Sequence, residues 1–286
     1  MLIRATVNRR TFQSAVAFMH GFAPEIDMSR ILAVQMADNN TLCVQQTGHQ
    51  CSCAVVTTRF LNMFSVTFGQ ESSTIRNRLA VRRIAARLGV TIDELPRLSD
   101  VFDVMMGHYC HGLALGCLGA SFTRDVFDVI NEAGRLALSD VRYKRLARLK
   151  VQPLLYEIAH RMERQSHFFN NLLPKFVLYS GHDSTIEPLA AAIGVSNGAW
   201  PRYASRLVFE LYVPTKEAGS DTMAGIRVLH NGKDVTRRVS FCKDAASNVA
   251  FSICPLKAFL DFVNDRQFAG GPGESGYSEA CKNLTT

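Results

Sequence analysis

The clearest local pattern of hydrophobic and polar residues lies at residues 175–194. Four strand-forming residues at 176–179 (Phe-Val-Leu-Tyr) are typical of a short buried strand. Ser184 and Glu187 then match a helix capping box, and a short apolar run ends at a glycine that suits a helix C-terminus. The pattern therefore predicts a strand that leads directly into a helix.

Two residues with acid–base chemistry, His182 and Asp183, occupy the turn between this strand and this helix. In open α/β sheets, ligands bind at the carboxyl ends of strands, and a helix N-terminus attracts anions. A carboxylic acid there can protonate a leaving alkoxide while an imidazole hydrogen-bonds a phosphoryl oxygen. An ordinary polar turn is the competing interpretation, since a His-Asp dipeptide is common.

Patterns elsewhere predict a mixed chain of strands and helices. Residues 10–22 predict a helix with Phe12, Ala15, Phe18 and Met19 on its apolar face and Asn8 as its cap. Helical periodicity dominates from about residue 74 to residue 169. The remaining predicted elements are strands at 2–6, 207–213, 226–230 and 235–241, a hairpin turn at Asn231-Gly232, and a short helix at 255–264.

The long helical segment lies between two segments that contain strands. This order predicts an α/β core, formed by residues 1–36 and 150–286, with an inserted α-helical cap domain at 37–149. Loops and insertions of this kind usually carry substrate selectivity. Glu210, within a predicted strand, is expected to be structural.

Composition narrows the cellular setting more than the function. The chain has 286 residues, 47% of them hydrophobic, and a net charge of +7, which favours an acidic partner without choosing among nucleic acid, membrane and sulfated glycan. No stretch approaches the about 20 apolar residues of a membrane span, and the first residues lack the apolar core of a signal peptide. Eight cysteines and the glycosylation sequons at Asn39 and Asn283 nevertheless suit a secreted or lumenal protein.

Two further clusters can each be interpreted either as a binding site or as ordinary structure. His108, Cys110, His111 and Cys117 include suitable zinc ligands, but their spacing fits no standard zinc finger, so we expect no metal and a local Cys110–Cys117 disulfide. A basic run on a predicted helix is usually a solvated face, with contact to a sulfated glycan as the alternative. Its residues are Arg135, Arg142, Lys144, Arg145, Arg148 and Lys150.

Two blocks, 179–186 (Tyr-Ser-Gly-His-Asp-Ser-Thr-Ile) and 200–212, resemble the C-terminal half of the histidine acid phosphatase family. Residues 10–15 (Arg-Thr-Phe-Gln-Ser-Ala) resemble that family's Arg-Thr-Leu-x-Ser-Ala motif. The resemblance implies a histidine-phosphatase (phosphoglycerate-mutase-like) core, with Asp183 as proton donor, His182 as a phosphate contact and Arg10 binding the substrate phosphate. It implies a phosphomonoester substrate, no cofactor, no metal and no nucleic-acid partner.

The C-terminal part is most similar to the 2-phosphoxylose phosphatase branch of this family, on residues 227–236, 240–242, 254–256 and the tail before Cys281. This resemblance implies removal of phosphate from xylose in the glycosaminoglycan–protein linkage region, in the Golgi lumen; secretion or a lysosomal location is the alternative. It also implies the disulfides Cys53–Cys281 and Cys242–Cys254. Cys43–Cys51 is a weaker local pairing.

One family motif is not found in the chain. The 286 residues contain no Arg-His-Gly-x-Arg-x-Pro, which carries the family's nucleophilic histidine, and His20-Gly21 lacks the flanking arginines. We expect a chain incomplete at its N-terminus, with the motif and any membrane anchor encoded upstream of Met1. The alternatives are a broad-specificity acid phosphatase, or a non-catalytic protein that binds glycan or phosphate and truly begins at Met1.

Overall fold

The structure is a computed structural model of the chain and describes residues 1–25, 34–36, 41–42, 53, 56, 75–113, 119–167, 173–214, 223–243, 253–266 and 275–283. Contacts between Cα atoms divide the chain into two compact units. The α/β unit comprises Met1–Thr58, Lys144–Val195 and Pro201–Thr286, and the helical unit comprises Arg59–Tyr143 and Ser196–Trp200. Our division at residues 36 and 150 stays a prediction.

A parallel sheet of three described strands forms part of the α/β unit. The strands are β1 (Leu2–Ala5), β2 (Val34–Met36) and β3 (Val177–Ser180), in the order β2-β1-β3. Both pairings are parallel, with Ala5 opposite Met36 on one side and opposite Ser180 on the other. Because all three strands run the same way, the residues that follow β1 and β3 meet at one edge of the sheet.

Helix α1 (Arg9–Phe22) follows β1 and packs on one face of this sheet. Its buried residues are Thr11, Ala15 and Met19, spaced four apart, and the last two pack with Ile3. The predicted apolar face was partly wrong, because Phe12 and Phe18 are 47% and 41% exposed. The buried face of the helix is instead the line of Thr11, Ala15 and Met19, and residues 12 and 18 lie outside this line.

Helix α5 (Val141–His167) is followed by β3 and then by α6 (Asp183–Ala192). The strand and helix predicted at 175–194 are therefore present, but α6 begins two residues earlier than the Ser184–Glu187 capping box suggested. His182 is its N-cap, and the His182 N–H group donates to Thr185 Oγ1 at 3.2 Å. Glu187 lies buried within the helix instead of closing a capping box.

A second, antiparallel sheet follows in the chain. It contains β4 (Leu207–Tyr212), β5 (Gly225–His230), β6 (Lys233–Asp234) and β7 (Cys254–Pro255). Asn231 and Gly232 adopt positive φ angles of 52° and 81°, as the predicted hairpin turn requires. The strand predicted at 235–241 was wrong: after β6 the chain forms two 3-10 turns, Thr236–Arg238 and Ser240–Cys242.

The core of the α/β unit joins this second sheet to helices α5, α6 and α7 (Leu256–Val263). Its fully buried members include Leu155, Ile193, Ile226 and Phe259. A last helix, α8, covers Ser275–Lys282. Within the described residues, no helix combines the length and the apolar character needed to cross a bilayer.

The helical unit contains α2 (Ile75–Leu88), α3 (Leu98–Cys110) and α4 (Gly119–Ser139). Their apolar faces form a separate core around Ile84, Phe102 and Ile130. Trp200 packs on the ring of Phe102 at 5.3 Å between centroids. This unit thus has its own hydrophobic core, as an inserted helical segment requires.

Two disulfides are present in the described residues. Cys53–Cys281 and Cys242–Cys254 have Cα separations of 5.7 and 5.6 Å, within the range that a disulfide needs. The Cys110–Cys117 pairing is not found, because Cys110 ends α3 as an exposed free cysteine. Cys43, Cys51, Cys117 and the sequon residue Asn39 lie outside the described residues, whereas Asn283 follows α8 directly.

Candidate functional site

The segments that follow β1 and β3 meet at the carboxyl edge of the parallel sheet. The Thr6 N–H group donates to the Ser180 carbonyl at 3.2 Å, which extends the strand pairing by one residue. The Ser180 hydroxyl donates to the Thr11 carbonyl at 2.7 Å and ties β3 to the first turn of α1. This edge therefore holds the N-termini of two helices, α1 and α6, side by side.

His182 is half-buried at this edge, and the loop after β1 holds its ring. Its Nε2 atom lies 3.0 Å from Thr6 Oγ1 and 3.0 Å from Asn8 Nδ2. Thr6 Oγ1 in turn lies 2.7 Å from Thr11 Oγ1. The contacts of His182 with Thr6 and Asn8 join residues more than 170 positions apart in the chain, so the orientation of the ring depends on tertiary structure.

Three charged residues act on His182. Burial lowers the pKa of His182, the positive charges of Arg10 and Lys150 lower it further, and the Asp183 carboxylate opposes them. Arg10 is exposed in the first turn of α1, and Asp183 is exposed as the first residue of α6. The structure thus brings together Arg10, His182 and Asp183, the three residues singled out from the sequence.

The turn before α6 is tightly built. A Cβ atom on Gly181 would lie 2.7 Å from Thr185 Oγ1 and 3.0 Å from Thr185 Cβ, so the turn accepts only glycine without rearrangement. The Asp183 carboxylate accepts a hydrogen bond from the Ser184 N–H group at 2.6 Å. These contacts fix the backbone of the turn that carries His182 and Asp183, as a site for a small anion needs.

Lys150 is a site residue that sequence reasoning missed. It lies on α5, where Leu149 and Val151 on either side of it are buried. Burial lowers the pKa of Lys150 to about 8, and the Asp183 carboxylate partly offsets this effect. The sequence pattern places Lys150 in a basic run expected to be solvated, but the apolar residues on either side of it are a signal for a buried environment.

The basic run proves to be divided by burial. Arg148 is 5% exposed; its guanidinium donates to the Phe262 carbonyl at 2.7 Å and stacks over the Phe262 ring at 4.1 Å. Arg148 therefore cannot contact a sulfated glycan, contrary to the prediction. Arg142 is paired with Asp140 at 2.6 Å, while Lys144 and Arg145 are exposed.

Metal ligands are not assembled in the part of the chain that the structure describes. No group of three or more histidine, cysteine or acidic side chains there could hold a metal ion. His108 and His111 are exposed at the end of α3.

Comparison with known proteins finds a matching family profile and similar proteins. Residues 137–231, which include His182 and Asp183, match the profile described as histidine phosphatase superfamily (branch 2). The chain is 33% identical over 307 residues to 2-phosphoxylose phosphatase 1 of Danio rerio. The chain therefore resembles histidine phosphatases in this segment and in its similarity to this relative.

The similarity to curated histidine phosphatases spans nearly all of this chain. The Danio rerio alignment covers 96% of it, and the alignment with 2-phosphoxylose phosphatase 1 of Homo sapiens, at 28% identity, covers 98%. Each alignment covers 58% of the relative, so the chain spans a little over half the length of these proteins.

A solved histidine phosphatase fold supports the architecture. The crystal structure of Klebsiella sp ASR1 phytase matches with a TM-score of 0.60 and 17% identity, over 96% of this chain and 79% of the phytase chain. The predicted class, an α/β histidine-phosphatase core with a helical insertion, is thereby confirmed.

Sequence reasoning missed Thr6 and Asn8 as site residues, because a threonine and an asparagine before a helix carry no local signal beyond capping.

Proposed function

We propose that this chain is part of a phosphomonoester hydrolase that removes the 2-phosphate from xylose in the glycosaminoglycan–protein linkage region. The observation that carries the proposal is the convergence of Arg10, His182 and Asp183 on one sheet edge beside two helix N-termini. Helix N-termini and a guanidinium are the groups that bind a phosphate dianion best. Similarity to 2-phosphoxylose phosphatases over nearly the full chain supports the substrate class.

Each residue has a defined role in this proposal. Arg10 binds two phosphoryl oxygens through its guanidinium fork. His182 hydrogen-bonds a third oxygen and stabilises the charge that develops on the phosphoryl group. When a nucleophile attacks phosphorus, the bond to the xylose oxygen breaks, and Asp183 gives its proton to that oxygen so that the sugar leaves as an alcohol.

A location in the secretory pathway, in the Golgi lumen, fits this substrate. The disulfides Cys53–Cys281 and Cys242–Cys254 support an oxidising compartment.

A broad-specificity acid phosphatase of the same fold is the second candidate, since fold alone does not choose a substrate. A glycan-binding role without catalysis would use the exposed Lys144 and Arg145.

The test is phosphate release from a 2-phosphoxyloside, with an unrelated aryl phosphate as the comparison substrate. We expect the 286 residues alone to bind phosphate without turnover, because they contain no family nucleophile motif. The longest reading frame in the transcript should be assayed beside them. In whichever form is active, Asp183→Asn should slow release by roughly a hundredfold or more.

The matched control is Asp261→Asn, which removes an exposed aspartate paired with Lys257 on α7. Its activity should equal that of the unchanged protein. Undiminished activity in the Asp183→Asn variant would overturn the assigned role. Equal rates on both substrates would favour the broad-specificity enzyme, and binding without turnover in every form would favour the glycan-binding role.

A further inference from the structure

Helix α2 of the helical unit is strongly basic. Its 14 residues, Ile75–Leu88, include five arginines and no acidic residue. Four of the arginines have exposed side chains: Arg78, Arg82, Arg83 and Arg87. A charged helix face is ordinarily a solvated face. Two of these arginines, however, face a second helix across a concave space.

Among the residues that the structure describes, a cleft of about 660 Å³ lies between α2 and α4. Arg83 and Arg87 line it from α2, and Arg124 lines it from α4. Because Arg83 and Arg87 are four positions apart, they lie on the same face of α2. Ala80 and Ala86 also line the cleft, and their small side chains leave the space between the helices open. Three guanidinium groups thus share one cleft within the helical unit.

The guanidinium of Arg83 is held in place by α4. Its Nε and Nη2 atoms donate to the two carboxylate oxygens of Asp125 at 2.8 and 2.5 Å. Across the same two helices, Arg87 Nη2 donates to Ser121 Oγ at 3.4 Å. A guanidinium has five N–H donors, so the bonds to Asp125 do not prevent Arg83 from binding a second anion.

Positive charge dominates the cleft. The hydrogen bonds from Arg83 lower the pKa of the Asp125 carboxyl, burial opposes this effect, and the charges of Arg83, Arg124 and Arg87 lower the pKa further. Asp125 and Asp128 are the two acidic residues that line the cleft, against three arginines. The other exposed arginines of α2 add positive charge beside it. The cleft should therefore attract an anionic ligand.

We propose that the α2–α4 cleft is a binding site for an anionic polysaccharide, held through its sulfate and carboxylate groups. A guanidinium fork matches such planar or tetrahedral oxyanions with two parallel hydrogen bonds. The anion site stands on the cleft alone. The choice of a polysaccharide rests on the proposed function, because the xylose of the proposed substrate is joined to a glycosaminoglycan.

Two other polyanions fit the cleft less well. Proteins that bind single-stranded nucleic acid stack the bases on exposed aromatic side chains, whereas Phe122, the aromatic residue that lines the cleft, is 3% exposed. A helix that binds a membrane surface inserts its apolar face into the lipid. The apolar residues Ala80 and Ile84 of α2 are instead buried in the core of the helical unit.

The test is the affinity of the 286-residue chain for a fluorescent heparin octasaccharide, measured by anisotropy at low ionic strength. The assay needs no catalytic turnover. Arg87→Gln combined with Arg124→Gln removes two guanidiniums and leaves the Arg83–Asp125 pair intact. We expect the affinity to fall by about fivefold or more, the worth of two exposed ion pairs. The affinity of the unchanged chain should also decrease as salt is added, because salt screens exposed charges.

The matched control is Lys144→Gln combined with Arg145→Gln. It removes the same net charge from exposed positions on α5, outside the cleft, and should leave the affinity within about twofold of the unchanged chain. Arg87→Lys combined with Arg124→Lys keeps the charge but loses the fork, and should restore only part of the affinity.

A second measurement does not depend on the folding of any variant. In the NMR spectrum of the unchanged chain, the Nε–H signals of Arg83, Arg87 and Arg124 should shift when the octasaccharide is added. The signal of Arg97, an exposed arginine paired with Asp100 on α3, should not.

Three results would overturn the proposal. Equal weakening in the cleft variant and the α5 control would mean that binding follows net charge alone, and a loss confined to the control would place the glycan on α5. Equal or tighter binding of a single-stranded DNA octamer or of phosphatidylserine vesicles through the same arginines would favour nucleic acid or membrane instead. Octasaccharide binding in the cleft, with no phosphate release from a 2-phosphoxyloside by any form of the protein, would refute the proposed function and leave the cleft standing as a polysaccharide site.

Discussion

At the scale of single residues, Lys150 is the group whose environment differs most from its sequence context. It sits in a run of basic residues, yet burial lowers its pKa to about 8, and its charge reaches both His182 and Asp183. A lysine with such a pKa is partly neutral in mildly alkaline solution. Its charge can therefore control how strongly the neighbouring edge attracts an anion.

The affinity for phosphate should depend on the charge of Lys150. A bound dianion favours the charged lysine, so affinity should be full well below pH 8 and fall as the pH rises through about 8. In Lys150→Met the affinity should be about tenfold lower at pH 7, and this alkaline decrease should disappear. Calorimetric titrations with a simple phosphate monoester from pH 7 to 9.5 measure both effects, because a monoester with a second pKa of about 6 is largely dianionic there.

Lys144→Met is the matched control, since Lys144 is an exposed lysine on the same helix. Its titration curve should follow that of the unchanged chain. An alkaline decrease that persists in Lys150→Met would mean that another group causes it.

At the scale of elements, α5 supports α7 through two polar side chains one turn apart. Arg148 donates to the Phe262 carbonyl at 2.7 Å, and the Gln152 amide donates to the Val263 carbonyl at 2.9 Å. These carbonyls belong to the last turn of α7, where no partner exists within the helix. The cation also interacts favourably with the negative end of the helix dipole. Arg148, which the sequence places in a basic run expected to be solvated, thus holds two helices together with the help of Gln152.

Arg148→Met should lower the free energy of unfolding by about 2 kcal/mol. The methionine keeps much of the apolar stem, but the Phe262 carbonyl loses its charged donor, and such hydrogen bonds contribute roughly 1.5–3 kcal/mol. Urea denaturation followed by circular dichroism measures the change. Arg145→Met, at an exposed position on the same helix, should stay within about 0.5 kcal/mol of the unchanged chain. Equal losses in both variants would contradict the helix-capping role of Arg148.

At the scale of the molecule, the Cys53–Cys281 disulfide joins residues 228 positions apart, whereas Cys242–Cys254 closes a loop of 12. A cross-link stabilises mainly by restricting the unfolded chain, and the effect grows slowly with loop length. The long-range disulfide therefore holds α8 to a distant part of the sequence.

Replacing Cys53 and Cys281 together with alanine should lower the free energy of unfolding by about 5 kcal/mol, the chain-entropy value for a loop of this length. The corresponding change at Cys242 and Cys254 should cost about 3 kcal/mol. Denaturation in urea without reductant compares the two variants. Cys110→Ala alters an exposed free thiol and should have no effect. A larger loss for the short loop would show that packing around the sulfurs, and not chain entropy, dominates.

The sequence by itself determined the parts of this protein that depend on neighbours along the chain. Three features were predictable from the sequence: the strand and helix around His182 and Asp183, helix α1, which contains Arg10, and the Asn231-Gly232 hairpin turn. Periodicity, glycine conformation and turn chemistry act over a few residues, so they are visible in the sequence. The similarity of short motifs to histidine phosphatases is equally local.

Only the tertiary structure decided which side chains surround the candidate site. Asn8 and Thr6 meet His182 across 174 and 176 positions, and no local pattern records such a contact. Burial likewise separated Lys150 and Arg148 from their exposed neighbours, although all belong to one basic run. The physical reason is that hydrogen-bond partners, desolvation and the field of nearby charges depend on distances in space, which the packing of the whole unit sets.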